Sequence, residues 1–531
     1  MRSLFSYQEA ERVLSTAEKV GQLFMPAAFI NDTEVEIQQL ETLIREQQVG
    51  GICFFHSRIS AATNFEGKKE VPYNAQSFDI LKKRIQRFQK AAKYPLLIAI
   101  DAEWGLAMRI ENTPQYPYAI TLGAMQGYND LIFEVGRQIA MDCKAAGIHW
   151  NLAPVVDINN NPDNPVIGYR SFGEDRDRVT EKALAYIRGT QREGILTSIK
   201  HFPGHGDTAT DSHIGLPLID KSKAELLQHE LYPFQELINE GVDAVMVGHL
   251  SVPALADGSL LSSSISKKMI NGVLRGEMGF KGVVISDALN MHAVSKNYPV
   301  KGDLEWLAFD AGNDVLCFAE NTVEGISTIL QKSNEARINE SFKRVWQLKE
   351  RALPHATTVS GAKLSDPDPL NHKLAMESIT LLKGTAHDLE EFKNNSFLGL
   401  CISRPVENVF FKAIGQQHVF TTIDSDGISV TALEEQPEVP DRILLCLLPR
   451  QVKPTDNFGF TAGELALVNN LINSKNVVLY LFGNPFILKH INIENAKAVI
   501  VAYQHLEAFQ KVAAEHFLGN FKAKGKLPVT I

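Results

Sequence analysis

The sequence predicts an α/β protein, a (β/α)8 barrel followed by a smaller α/β domain. Three observations carry this. Short apolar, β-branched runs recur through the first two-thirds of the chain, stretches of helical period separate them, and the polar residues within the runs fall at their C-terminal ends. A run that is apolar throughout reads as a strand buried on both faces, and strands alternating with helices make a parallel sheet with helices outside it.

In order, the runs are QLFMP (22–26), GICFF (51–55), LLIAID (96–101), GIHWNLAP (147–154), LTSIKHF (196–202), DAVMVGHL (243–250), GVVISD (282–287) and NDVLCF (313–318). Helix-period stretches such as DLIFEVGRQIAMDCKAAG and RVTEKALAYIRGTQREG end at a glycine just before the next run, where a helix stops most easily. Eight such units suit a closed barrel. Asp101, Lys200, His201, His249 and Asp287 end their runs, on the face where barrels of this kind carry their sites. A helical stretch at 337–352 closes the unit. Residues 353–369 hold prolines and no apolar period, so they read as a linker. From 370 the runs SITLLK, SFLGLCIS, RILLCLLP, NVVLYLFG and AKAVIVAY alternate with helical stretches, as in a doubly wound α/β domain. The expected organisation is a barrel over 1–352, a linker over 353–369 and a second domain over 370–531.

The net charge is −9, so no basic excess points to nucleic acid. The five cysteines are scattered, without metal-ligand or redox spacing. They read as small buried hydrophobes in a reducing compartment. No apolar run is long enough for a membrane span, and the first residues show no secretory leader. A cytoplasmic location is therefore expected. No glycine-rich phosphate loop is present, and neither a cofactor nor a metal is expected.

The chemistry concentrates in KHFPGHGDTATDSH (200–213). It leaves a strand and enters a loop with Gly204, Gly206 and Gly215, which allow unusual backbone angles and movement. Asp211 and His213 sit two residues apart, close enough for a carboxylate–imidazole acid/base pair. Asp287, ending a buried strand, is a candidate nucleophile or stabiliser of an oxocarbenium ion.

This stretch resembles the N-acetyl-β-glucosaminidase signature of glycoside hydrolase family 3, K-H-[FI]-P-G-x-G-x4-D-[ST]-H, at every specified position. ISDALNM, WNLAPVVDIN with YRSFGED, and DAVMVGHLSVPAL resemble further segments of the family. IDAEWGLAMR departs from the pattern at Ala102 and Trp104 but keeps Asp101, Glu103, Gly105 and Arg109. The resemblance covers residues 15–350, and the C-terminal part resembles the α/β sandwich of two-domain members. It implies a TIM-like barrel and retaining, exo-acting removal of terminal β-linked N-acetylglucosamine. Asp287 would be the nucleophile, His213 the acid/base and Asp211 its orienter. Asp101, Arg170, Lys200, His201, Met246 and His249 would contact the sugar. Arg58 would reach an acidic aglycone, and the substrate would be a muropeptide or a chitooligosaccharide.

Three other readings stay open. The same site can use phosphate as acceptor, because an imidazole tolerates an approaching anion better than a carboxylate does. A metal-dependent hydrolase can be imagined on His201, His205, Asp207, Asp211 and His213, although their spacing matches no metal site. The third is a carbohydrate-binding protein on an inactive barrel.

Overall fold

The computed structural model describes residues 4–58, 73–127, 129–208, 215–355, 363–403, 408–424 and 440–531. The chain divides into two compact units. The first holds residues 1–116, 132–158 and 179–366, and the second holds 117–131, 159–178 and 367–531. The expected contiguous barrel therefore lends two internal segments to the second unit, and the division between them falls at 366/367.

In the first unit the barrel strands are β1 (Phe24–Met25) with β2 (Ala27–Phe29), β3 (Gly51–Phe55), β4 (Leu97–Ile100), β5 (Trp150–Asn151), β6 (Leu196–Phe202), β7 (Ala244–Val247), β8 (Val283–Ser286) and β9 (Leu316–Cys317). Strands β2 to β8 pair in sequence order, all parallel. The ring closes through the Ile285–Val315 bridge and the parallel pairing of Phe24 with Leu316 and Met25 with Cys317. Every residue of β4, β6, β7 and β8 is buried, which is why these strands read as apolar runs and not as alternating ones. Two of the helices between the strands, Glu34–Gln47 and Lys223–Gln228, begin at reciprocal capping boxes. Thr33, for example, accepts from the Glu36 amide while the Glu36 carboxylate returns to the Thr33 amide.

Asp314, just before β9, is fully buried. It accepts from the Val284 amide at 3.0 Å, from Arg344 at 3.0 Å and from Ser341 at 2.6 Å, and pairs with Arg275 at 2.5 Å. It thus ties β8 to the helices at 268–277 and 335–352 at the N-terminal end of the barrel, opposite the site.

The second unit contains a six-stranded sheet in the order β10-β15-β14-β13-β11-β12. Its strands are β10 (Thr380–Lys383), β11 (Leu398–Ser403), β12 (Thr421–Asp424), β13 (Arg442–Leu448), β14 (Asn476–Leu481) and β15 (Ala498–Val501). All pairs are parallel except β10 with β15, so the expected doubly wound sheet carries one antiparallel edge. Its core gathers Phe410, Cys446, Tyr480, Phe482 and Phe517.

Candidate active site

Asp287 is the first residue beyond β8. Its amide donates to Val247 O at 3.0 Å, extending the β7–β8 ladder by one step. One carboxylate oxygen accepts from the Ala288 amide at 2.8 Å, and the side chain is half-buried. Asp101, one residue past β4, occupies the same C-terminal end of the ring. The Cys317 thiol is pushed far above its usual range by its contact with Cys53, by burial, and by the charges of Asp101 and Asp287. Both carboxylates thus bear on the buried thiol that ends β9.

Around Asp101 the sequence assembles two acids and two bases. Lys200 Nζ lies 2.8 Å from Asp101 Oδ1 and 2.8 Å from Glu103 Oε1, and Arg109 Nη2 lies 2.7 Å from Asp101 Oδ2. Burial would raise the Asp101 carboxyl, but Lys200 and Arg109 hold it well below the ordinary range. The cluster is neutral overall, so it can stay buried with all four groups charged. The backbone beneath it is fixed by Asn151, which donates to Ala102 O and accepts from the Ala102 amide, and by the Tyr186 hydroxyl, which donates to Ala102 O at 3.1 Å.

Lys200 and His201 are adjacent in sequence yet serve different carboxylates. His201 Nδ1 lies 2.7 Å from Asp157 Oδ2. A carboxylate only accepts, so this nitrogen carries the hydrogen. The other Asp157 oxygen accepts from the amides of His201 at 3.1 Å and His205 at 2.7 Å. His205 Nδ1 lies 2.6 Å from the Thr208 hydroxyl. Burial, reinforced by His201, pushes the His205 imidazole down to about 4 despite Asp157 and Asp287, so it is neutral at physiological pH. The turn that brings His205 to Asp157 needs Gly206, where a Cβ would stand 1.6 Å from Ile158 O. Close approach is thus one reason for a glycine that reads from sequence as a source of loop movement.

The other expected site residues are placed as follows. Asp211 and His213 lie outside the described residues. Met246 is buried within β7, in register with Ile285. His249 is fully buried with its ring bonded to Ser264 and Ala288. Arg58 is exposed but not free, since its Nε lies 2.7 Å from Asp32 and 2.8 Å from Glu36, and its guanidinium covers the Phe29 ring at 4.8 Å. Arg170 ends a short turn, Gly168–Arg170, in the second unit and donates to Val166 O at 3.3 Å. Asp157, beyond the expected site residues, is the carboxylate that organises His201 and His205.

A closed parallel barrel with paired acids and bases at the C-terminal mouth defines a class of enzyme, and comparison with known proteins gives the family. Residues 15–348 match the glycosyl hydrolase family 3 N terminal domain, and the chain belongs to glycosyl hydrolase family 3. It is similar to the beta-hexosaminidase A of Pseudoalteromonas piscicida, 29% identical over 441 residues, which is 76% of this chain and 70% of that protein. A beta-hexosaminidase of Tolumonas auensis is 32% identical over 305 residues, 56% of this chain and 84% of the relative. A solved family 3 beta-N-acetylglucosaminidase from Paenibacillus sp. superposes with a TM-score of 0.80 at 30% identity, covering 98% of this chain and 99% of its own. The protein is a glycosidase. Among the described residues no helix is long and apolar enough to cross a membrane.

Proposed function

We propose that this chain is a retaining, exo-acting β-N-acetylhexosaminidase that uses Asp287 as nucleophile. The observation that carries the reading is the Asp287 carboxylate, held by the β7–β8 ladder at the mouth that the Asp101–Lys200–Arg109–Glu103 cluster and the Asp157–His201 pair share. Charged groups there can grip the hydroxyls of one terminal sugar ring and set its anomeric carbon against a fixed carboxylate. His213, oriented by Asp211, is assigned as acid/base from the D-S-H element of the sequence. Its imidazolium protonates the leaving oxygen as Asp287 attacks. The neutral imidazole then takes a proton from the water that opens the glycosyl ester, and the net configuration is retained. The same element, with the names of the relatives, supports an N-acetylhexosaminide over a plain glucoside.

The test is turnover of an aryl β-N-acetylglucosaminide beside the matching β-glucoside, with the first-formed anomer read by proton NMR, with and without phosphate. β-N-Acetylglucosamine as first product supports the reading. An α-anomer refutes retention, faster glucoside turnover refutes the substrate, and a sugar 1-phosphate formed in preference to free sugar makes phosphate the acceptor.

A further inference from the structure

His249 is expected from sequence among the sugar contacts, yet its ring is committed elsewhere. The side chain is fully buried, with Nε2 2.9 Å from Ala288 O and Nδ1 2.7 Å from the Ser264 hydroxyl. A carbonyl oxygen only accepts, so Nε2 carries the hydrogen, while Nδ1 meets the Ser264 hydroxyl. The Ser264 hydroxyl lies 3.0 Å from that of Ser262, also buried. The outcome is a buried hydrogen-bonded chain that joins Ser262, Ser264, His249 and the Ala288 carbonyl.

That carbonyl belongs to the peptide after the Asp287–Ala288 peptide. The same peptide is held from its other side, since the Leu289 amide donates to Cys317 O at 3.0 Å. The peptide before is held where the Asp287 amide meets Val247 O at 3.0 Å. Between two pinned peptides lies the one whose N–H, on Ala288, bonds the Asp287 carboxylate at 2.8 Å. The segment from Val247 to His249 thus grips the Asp287 turn on both sides.

We infer that His249 is a positioning residue for the Asp287 carboxylate, acting through Ala288, and not a sugar ligand. This rests on the reading of Asp287 as nucleophile. Without the Nε2–H the 288–289 peptide keeps only the Leu289–Cys317 bond and can pivot about it, and the carboxylate follows. A displacement of about 1 Å at a reacting group costs about 100-fold in rate.

The experiment compares His249→Ala, His249→Gln and His249→Asn in the full chain, measuring kcat on an aryl N-acetylglucosaminide and KI for N-acetylglucosamine, with thermal unfolding alongside. A glutamine amide reaches the place of Nε2, whereas an asparagine amide reaches only that of Nδ1. The expected result is a kcat about 100-fold lower for alanine and asparagine, substantial recovery for glutamine, and KI within about twofold of wild type throughout. Near-normal kcat for alanine, equal behaviour of glutamine and asparagine, or a KI that rises with the rate loss overturns the inference; the last makes His249 a sugar ligand. If the alanine variant does not fold, Ser264→Ala decides, with lowered kcat and unchanged KI expected and an unchanged kcat contradicting. A wild-type protein that cleaves no N-acetylhexosaminide refutes the functional reading itself. An active wild type, an inactive Asp287→Ala and normal His249 variants refute only the positioning role.

Discussion

Replacing Asp157 by asparagine tests the organisation of the site without touching the proposed nucleophile. The Asp157 side chain is fully buried and takes hydrogen bonds from His201 Nδ1 at 2.7 Å, the His201 amide at 3.1 Å and the His205 amide at 2.7 Å. Asparagine keeps one acceptor oxygen for the two amides and turns an NH2 toward His201. A bond to a charged group contributes about 1.5–3 kcal/mol, so replacing the carboxylate by a neutral amide costs about that much. His201 must then present a bare Nδ1 and carry its hydrogen on Nε2, which reverses its hydrogen-bonding sense toward any ligand in the mouth. With the ring wrongly poised, kcat/KM falls about 100-fold. The pH dependence follows from the Asp157 carboxyl lying below its ordinary 3.8, because His201 and His205 favour its charge although burial opposes it. A depressed carboxylate stabilises the fold above that pH and loses the contribution as pH falls through the folded-state value. Thermal unfolding of both proteins should thus show a gap at pH 7 that narrows at acid pH. Wild-type stability and wild-type kcat/KM in Asp157→Asn would refute the reasoning, and a gap that widens with acid would show that the carboxyl is not the group responsible.

Three further predictions follow from other parts of the molecule. His213→Ala should slow hydrolysis of a disaccharide by about 1000-fold but that of a dinitrophenyl glycoside by less than about tenfold, because the latter leaves without protonation; equal losses on both would remove His213 as the acid. Lys349, buried beside Gln22 Oε1 and Pro95 O, is pushed by burial from 10.5 down to about 7. Between those values the unfolded state binds more protons, so this group makes stability rise with pH across the window, and the melting-temperature advantage of Lys349→Met over wild type should be larger at pH 6 than at pH 9. Asp314→Ala should cost about 3–5 kcal/mol by stranding the buried arginines while leaving kcat of the folded protein unchanged, checked by unfolding and by active-site titration.

The barrel was legible because each of its strands is buried on both faces and so writes a continuous apolar run into the chain. LIAI and VVIS are buried along their whole length. The edge strand β12, TTID, escaped notice because its exposed threonines break any such run. Segments 117–131 and 159–178 have no period of either kind, and nothing local tells which unit they join. Within the site, Asp101, Lys200, His201 and Asp287 could be picked out by their place at strand ends. The roles of Asp157 and His249 could not. A buried carboxylate and a cap look alike in sequence, and the partners that distinguish them lie far along the chain. Asp157 meets its histidine 44 residues later, and His249 its carbonyl 39 residues later. Arg58 shows the same limit, because its ties to Asp32 and Glu36 run back across a helix and the preceding strand.

The most direct test of the central claim is to trap the intermediate. The full chain would be treated with a fluorinated N-acetylglucosaminyl donor whose glycosyl-enzyme hydrolyses slowly, then digested and read by tandem mass spectrometry. The account predicts one added N-acetylhexosaminyl derivative, esterified to Asp287 in the peptide that follows β8. A label on any other carboxylate, or full turnover of the donor with inversion and no labelled peptide, would contradict it.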